Sequence, residues 1–275
     1  MSSDDIDIDD FDNTDSELEK FESTDDALAK FEKIFAKKRK VLDDGFDRNK
    51  VENQVLDKTT MFTLYEMINA KIISYVNGIV KAGKESVLFW AVAPDGTDVA
   101  LKVYLVSTVS FKKRAAYIVG DPRFTRLKSG TRNMVYLWAR KEYRNLRQCA
   151  KHNIPVPRTI HVSKNVLAME FVGKNGIPAP TLHETEIVES DYTQAIDIMT
   201  KLYRDARLVH GDFSEYNVLK TDSGLVLFDL GSAVDIQHPN AQNFLERDIK
   251  NMTYFFAKRG LTVKNPADVL SEMIS

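Results

Sequence analysis

Asp212, Asn217 and Asp229 lie within the stretch His210 to Asp235, HGDFSEYNVLKTDSGLVLFDLGSAVD, with the asparagine five residues after the first aspartate. The second aspartate closes a hydrophobic run that reads as a strand. Phosphoryl transfer from ATP needs a carboxylate to orient the incoming nucleophile and oxygen donors to hold Mg²⁺ on the phosphates. Asp212 is the expected base, and Asn217 and Asp229 are the expected metal ligands. ATP and Mg²⁺, with Mn²⁺ as a substitute, are the cofactors this chemistry calls for. His210 is expected to brace the loop, and His152, His161, His183 and His238 show no metal-ligand spacing.

A catalytic loop of this kind needs elements that bring a cation to the phosphates. The pattern from Gly78 alternates as strands: Gly78 to Lys81, a turn at Gly83, Val87 to Ala93, a Pro94-Asp95-Gly96 turn, then Val99 to Tyr104. Lys102 stands late in the last of these, in VALKVY, where a phosphate-holding lysine is expected. Glu142 lies in a segment whose Met134, Leu137, Trp138 and Leu146 repeat at helical spacing, and such a helix can aim it at Lys102. Gly78 to Lys84 fits the first seven positions of GxxxxGK[ST], but Glu85 replaces the metal-binding hydroxyl and a strand follows. A P-loop is therefore excluded, and Gly83, Lys84 and Ser86 read instead as a hairpin over the triphosphate.

Asn165 to Phe171 reads as a strand leading to a lobe junction at Met169 to Val172, and Asp191 to Leu208 reads as a helix entering the catalytic loop. Two further helices are expected earlier, one from Ser23–Asp26 to Val41 and one starting at Thr59 or Thr60 with Met61, Leu64, Tyr65 and Ile68 on its apolar face. After Asp235 only about forty residues follow, and no long helical lobe is legible in them. At 275 residues and 43% hydrophobic content the chain suits two lobes. Its one cysteine, Cys149, excludes a disulfide framework, is expected to fill core space and suits a reducing, cytoplasmic compartment. No apolar run approaches the roughly 18 residues of a membrane span, so no membrane partner is expected. The net charge of −2 hides twelve acids against Lys20 alone in residues 1 to 26. The remainder holds 37 bases against 28 acids, a balance that suits a nucleic-acid partner.

The chain closely resembles the RIO family of atypical kinases, in its RIO1 branch, over about Lys58 to Leu261. The residues that carry the resemblance are GKES at Gly83 to Ser86, ALKVY at Ala100 to Tyr104, NMVYLWARKEYRNL at Asn133 to Leu146, MEFVG at Met169 to Gly173, PAPTL at Pro178 to Leu182, LVHGDFSEYN at Leu208 to Asn217 and FLERDIKNM at Phe244 to Met252. The resemblance implies an α+β, two-lobed protein-kinase-like fold, with an antiparallel-sheet N-lobe at 58 to 172 and a reduced helical C-lobe at 173 to 275. Ahead of it lie an acidic tail at 1 to 26 and a helix with linker at 27 to 57. It implies Asp212 as base, Asn217 and Asp229 as Mg²⁺ ligands, Lys102 on the phosphates, and Glu170 and Val172 on adenine through their backbones. A nucleotide site so built takes in Val80, Lys81, Ala82, Gly83, Lys84, Glu85, Ser86, Ala100, Glu142, Met169, Pro178 and Leu219 as well. The resemblance also implies that Asp229 accepts phosphate as an aspartyl phosphate in an ATPase cycle, and that the partner is the small ribosomal subunit precursor with its rRNA and proteins. Two departures stand out: Gly211 where many members have Ala, and LFDLGSAVD in place of IDxxQxV.

Residues 107 to 132 form an insertion with seven bases (Lys112, Lys113, Arg114, Arg123, Arg126, Lys128, Arg132) against Asp121, and Ser107, Thr108 and Ser110 are candidate autophosphorylation sites. The HGDxxxxN loop alone also fits small-molecule phosphotransferases and the small kinase-like ATPases of tRNA modification. A non-catalytic pseudokinase scaffold is the third alternative, against which the intact Lys102, Glu142, Asp212, Asn217 and Asp229 argue.

Overall fold

The computed structural model describes residues 56–106, 115–124 and 130–275. The helix expected before Val41, most of the basic insertion and Ser107, Thr108 and Ser110 lie outside the described residues. Helix α1 (Lys58–Asn69) is capped by Asp57, two or three residues before the expected start, and the Asp57 carboxylate accepts the Thr60 N–H at 2.8 Å. Its Leu64 and Met67 are buried, and Met61, Tyr65 and Ile68 pack around them.

Strands β1 (Tyr75–Ala82), β2 (Ser86–Val92) and β3 (Asp98–Tyr104) follow, then helix α2 (Thr131–Lys151), β4 (Thr159–Ser163) and β5 (Val166–Glu170). All neighbours are antiparallel, in the order β1-β2-β3-β5-β4. β1 begins three residues earlier than its alternation suggested, because register shifts between Val76 and Gly78 and between Ile79 and Lys81 break the period of two. β4 was not legible, since each of its residues is only half-buried. One face of the sheet, with Phe89, Leu101, Val103 and Ala168, packs on α1. The opposite face, with Val80, Leu88, Ala100, Leu167 and Met169, belongs to the core of the second lobe. Cys149 is wholly buried in that core, and burial pushes its thiol up to about 12.

A short hairpin, β6 (Gly173–Lys174) with β7 (Ile177–Pro178), connects the lobes. Asp98 pins it to the sheet: one carboxylate oxygen accepts Trp90 Nε1–H at 2.8 Å and the other accepts Asn175 N–H at 2.9 Å. Gly176 has φ +79°, and a Cβ there would lie 2.4 Å from the Trp90 ring. Helix α3 (Glu189–Arg204) ends four residues before the expected Leu208, and β8 (Leu208–Val209) replaces its last turn. The cause is pairing: Val209 and Leu208 bond with Val234 and Asp235 of β11 (Val234–Asp235). Between them, β9 (Val218–Thr221) and β10 (Gly224–Leu227) form a hairpin. The residues after Asp235 are more helical than their number suggested. They form α4 (Ala241–Lys258) and α5 (Pro266–Ile274), whose Ile249, Met252, Phe256, Val269 and Met273 are buried. Burial of each such side chain contributes roughly 1.5–3 kcal/mol.

His210 follows β8 with its ring buried, edge-on to Phe213 at 5.5 Å and with Nε2 3.2 Å from Phe228 O. Burial lowers its pKa to about 4, against the opposing pull of the Phe228 carbonyl and Asp229. The unfolded chain therefore binds a proton that the folded chain refuses between pH 6.5 and about 4, and the stability due to neutral His210 is lost as pH falls through that window. We expect acidification to cost the wild-type chain up to about 3 kcal/mol more than His210→Phe, measured as the change in unfolding free energy from pH 7 to 4. Equal losses in the two proteins contradict the assignment. Gly176→Ala, strained in φ and pressed on Trp90, is expected to cost about 1–3 kcal/mol in chemical denaturation.

Candidate active site

Lys102 lies on β3 opposite Leu88 and Leu167, and the sheet delivers its side chain to the face that meets the second lobe. Its Nζ donates to both carboxylate oxygens of Glu142, at 2.9 and 2.8 Å, and to Asp229 Oδ1 at 2.8 Å. Helix α2 thus aims Glu142 at Lys102, and the far lobe supplies the second carboxylate. Glu142 has no solvent exposure, whereas the Asp229 side chain is 46% exposed. Burial pushes the Glu142 carboxyl up to about 7 against the pull of Lys102. Burial also works to discharge Lys102, but Asp229 and Glu142 more than offset it and hold the ammonium above the ordinary lysine range. A cation placed so deep stays charged only because two carboxylates face it.

The loop between β8 and β9 carries Asp212 and Asn217. Asn217 Nδ2 donates to Asp212 O at 2.9 Å and to Asp212 Oδ2 at 3.1 Å. The backbone around Asp212 is held from α4: Asp248 accepts Gly211 N–H at 2.7 Å and Phe213 N–H at 3.1 Å, and Arg247 donates to Gly211 O. Burial raises the Asp248 carboxyl to about 7, opposed by those two N–H groups. The surrounding protein raises Asp212 above the usual carboxylate range, and the charge of Asp229 adds to the effect. Gly211 has φ +75°, and a Cβ there would stand 3.1 Å from Ser232 O and 3.2 Å from the Tyr117 ring. Tyr117, in turn, stacks on Phe244 at 5.0 Å. Arg247 and Asp248 do not stand out as site residues in Phe244 to Met252, because charges on an amphipathic helix read as a solvated face.

Asp229 does not end a strand as expected. β10 stops at Leu227, and Asp229 adopts a left-handed conformation, φ 58° and ψ 57°, ahead of the 3₁₀ turn Leu230–Ser232. Gly83 to Glu85 form the tight turn between β1 and β2, closed by Gly83 N–H to Ser86 O at 2.9 Å. A strand follows Lys84, as the exclusion of a P-loop requires. Val80, Ala100 and Met169 line the sheet face toward the second lobe, and Leu219 is buried on β9. Lys81 and Ala82 end β1, while Glu170 and Val172 precede the hairpin that connects the lobes and Pro178 ends it. Glu170 N–H is taken by Arg158 O at 2.8 Å, and Val172 O by Ala179 N–H at 2.9 Å.

Among the described residues, no group of three or more His, Cys, Asp or Glu side chains converges on a metal position. The Asp229 carboxylate and an Asn217 amide oxygen are donor types that fit Mg²⁺, which takes one or two protein ligands and completes its shell with phosphate and water. No helix among the described residues is long and apolar enough to cross a membrane.

The RIO domain family model, RIO1, matches residues 87–269. The chain is similar to serine/threonine-protein kinase RIO1 of Homo sapiens, 39% identical over 228 residues that make up 81% of this chain and 40% of that protein. It is 42% identical over 229 residues to RIO-type serine/threonine-protein kinase Rio1 of Methanocaldococcus jannaschii, covering 82% of this chain and 77% of that one. The chain thus spans less than half the length of the human relative and about three quarters of the archaeal one. Among solved structures, the Rio2 kinase of Chaetomium thermophilum, in an ADP/Mg²⁺-phosphoaspartate complex, aligns with a TM-score of 0.59 at 23% identity, over 77% of this chain and 65% of that chain. That likeness shows the two-lobed, kinase-like α+β fold, with a five-stranded antiparallel sheet in one lobe and helices in the other. A family match across both lobes, with relatives at this identity, makes the chain a member of the RIO1 family.

Proposed function

We propose that this chain is an ATP-dependent serine/threonine kinase and ATPase that transfers the γ-phosphate to itself or to a restricted protein target. The observation that carries the reading is Lys102, joined to Glu142 from its own lobe and Asp229 from the other, beside a loop that presents Asp212 and Asn217. The names of its relatives as serine/threonine kinases support the same reading. The Glu170 carbonyl and the Val172 amide are assigned to the purine edge, and Val80, Ala100, Met169 and Leu219 to its faces. The Gly83–Ser86 turn and Lys102 take the phosphates. Asn217 and Asp229 would hold Mg²⁺, whose charge offsets that developing on the phosphate oxygens.

Asp212 accepts the proton of an incoming hydroxyl, and Asn217 keeps its carboxylate turned toward the site. Asp229 has a second role in this proposal, in which one of its oxygens attacks the γ-phosphorus, the bond to the β-phosphate oxygen breaks and ADP leaves. Water then cleaves the acyl phosphate. The phosphoaspartate in the name of the Chaetomium Rio2 complex supports that step. For the cellular target we assign the small ribosomal subunit precursor in a cytoplasmic setting. The excess of 37 bases over 28 acids outside residues 1 to 26 suits a partner rich in RNA phosphate.

Asp212→Asn is expected to remain folded, to bind ATP with Mg²⁺ and to lose about 10²–10⁴-fold in turnover, measured by phosphate release. Hydrolysis at the wild-type rate rules Asp212 out as the base. Asp229→Asn is expected to lose the hydroxylamine-sensitive label that wild-type chain acquires from γ-labelled ATP. Persistence of that label in the variant places the acyl phosphate elsewhere.

A further inference from the structure

Besides Glu142, helix α2 carries two polar side chains without solvent exposure, Lys141 and Asn145. They stand four residues apart and so share one helix face, which looks onto the turn after Asp229. Lys141 Nζ donates to Gly231 O at 2.8 Å and also to Ala233 O. Asn145 Nδ2 donates to Leu230 O at 2.8 Å and to Ala233 O at 3.0 Å. Its Oδ1 accepts from Arg123 at 2.7 Å, and Arg123 is itself paired with Asp121 at 2.7 Å. Asp121 accepts the Asp235 N–H at 3.3 Å, so the far side of the turn is gripped as well.

The same turn presses on α2 through its smallest residue. A Cβ on Gly231 would lie 2.6 Å from Trp138 Nε1. The conformation held in this way is a demanding one, because a left-handed residue other than glycine costs roughly 1–2 kcal/mol. Such a conformation persists only where its surroundings over-determine it. Simple filling of the core does not account for the pair. Apolar side chains would fill the space without the cost of burying an amine and an amide. Burial drives the Lys141 amine well below its ordinary range, which marks how far this group has been taken from water.

We infer that Lys141 and Asn145 are positioning residues for Asp229: by holding the carbonyls of Leu230, Gly231 and Ala233 they fix the left-handed turn that points its carboxylate at Lys102 and the metal position. The inference rests on the proposed reading of Asp229 as a Mg²⁺ ligand. Because Glu142 follows Lys141 directly, one helix sets both carboxylates that face Lys102, the first by its own side chain and the second through the backbone of the far lobe.

The test compares Lys141→Met, Asn145→Asp and Asp229→Asn with wild-type chain in calorimetric titrations of ATP with and without Mg²⁺, together with hydrogen exchange over residues 229 to 235. For Lys141→Met we expect Mg²⁺-free ATP affinity within about twofold of wild type, while the Mg²⁺ concentration at half-saturation rises about tenfold or more. Amides of the turn should exchange faster, and those of β9 and β10 should not change. If Lys141→Met fails to fold, Asn145→Asp, which keeps a partner for Arg123 and removes only the amide donor, carries the same expectation. An unchanged Mg²⁺ dependence in a folded variant, or equal weakening with and without Mg²⁺, overturns the positioning role. An Asp229→Asn variant whose Mg²⁺ dependence matches wild type overturns the metal reading of Asp229 and this inference with it.

Discussion

A single ammonium facing two carboxylates from opposite lobes organises this molecule. Lys102 Nζ lies within 2.9 Å of Glu142 and 2.8 Å of Asp229. Removing water from Lys102 and Glu142 costs several kcal/mol for each ion, and the attraction among the three groups offsets this only when the geometry is close and the partners are complete. Loss of either carboxylate leaves a buried cation undercompensated. The interaction is therefore a constraint on everything around it. The sheet must present Lys102 inward, α2 must run with Glu142 on its inner face, and the segment after β10 must turn sharply enough to bring Asp229 back to the sheet.

The second lobe meets this constraint through backbone capping more than through side-chain packing at the reacting groups. Asp248 takes two N–H groups flanking Asp212, and Arg247 holds the carbonyl between them. Across the lobe boundary, Lys141 and Asn145 hold carbonyls after Asp229. In both places a charged or amide side chain on a helix fixes the peptide groups next to a functional aspartate and leaves that aspartate's own oxygens to the site. The arrangement suits the proposed centre, in which Asp229 would exchange partners among Lys102, metal and phosphate. It also suits Gly211 in this chain, since its φ of +75° favours glycine and a Cβ there would crowd the Ser232 carbonyl and the Tyr117 ring.

Much of this was legible in the residues. Alternation and the Pro94-Asp95-Gly96 turn located β2 and β3, helical spacing located α2, and the type and spacing of Asp212, Asn217 and Asp229 announced phosphate chemistry. What escaped has a common physical cause. Lys141 stands between Arg140 and Glu142, and a charge in such a run reads as part of a solvated face, yet its partners are carbonyls some ninety residues further along. Asp248 sits among Glu246, Arg247 and Lys250 and reads the same way, although it is buried against backbone N–H groups. Patterns of apolar residues assign polar ones to water by default. Register shifts blurred β1, half-burial hid β4, and pairing with β11 ended α3 before its helical spacing ran out.

The central claim is that Lys102 is the cation of a nucleotide site and its two carboxylates hold it ready for phosphate. Calorimetric titration of ATP into Lys102→Met, at saturating Mg²⁺ and with unfolding monitored in parallel, tests that claim most directly. The account predicts a folded variant whose ATP affinity falls by about tenfold or more, the scale of losing one charge-assisted contact of roughly 1.5–3 kcal/mol. A folded Lys102→Met chain that binds ATP with wild-type affinity would contradict it.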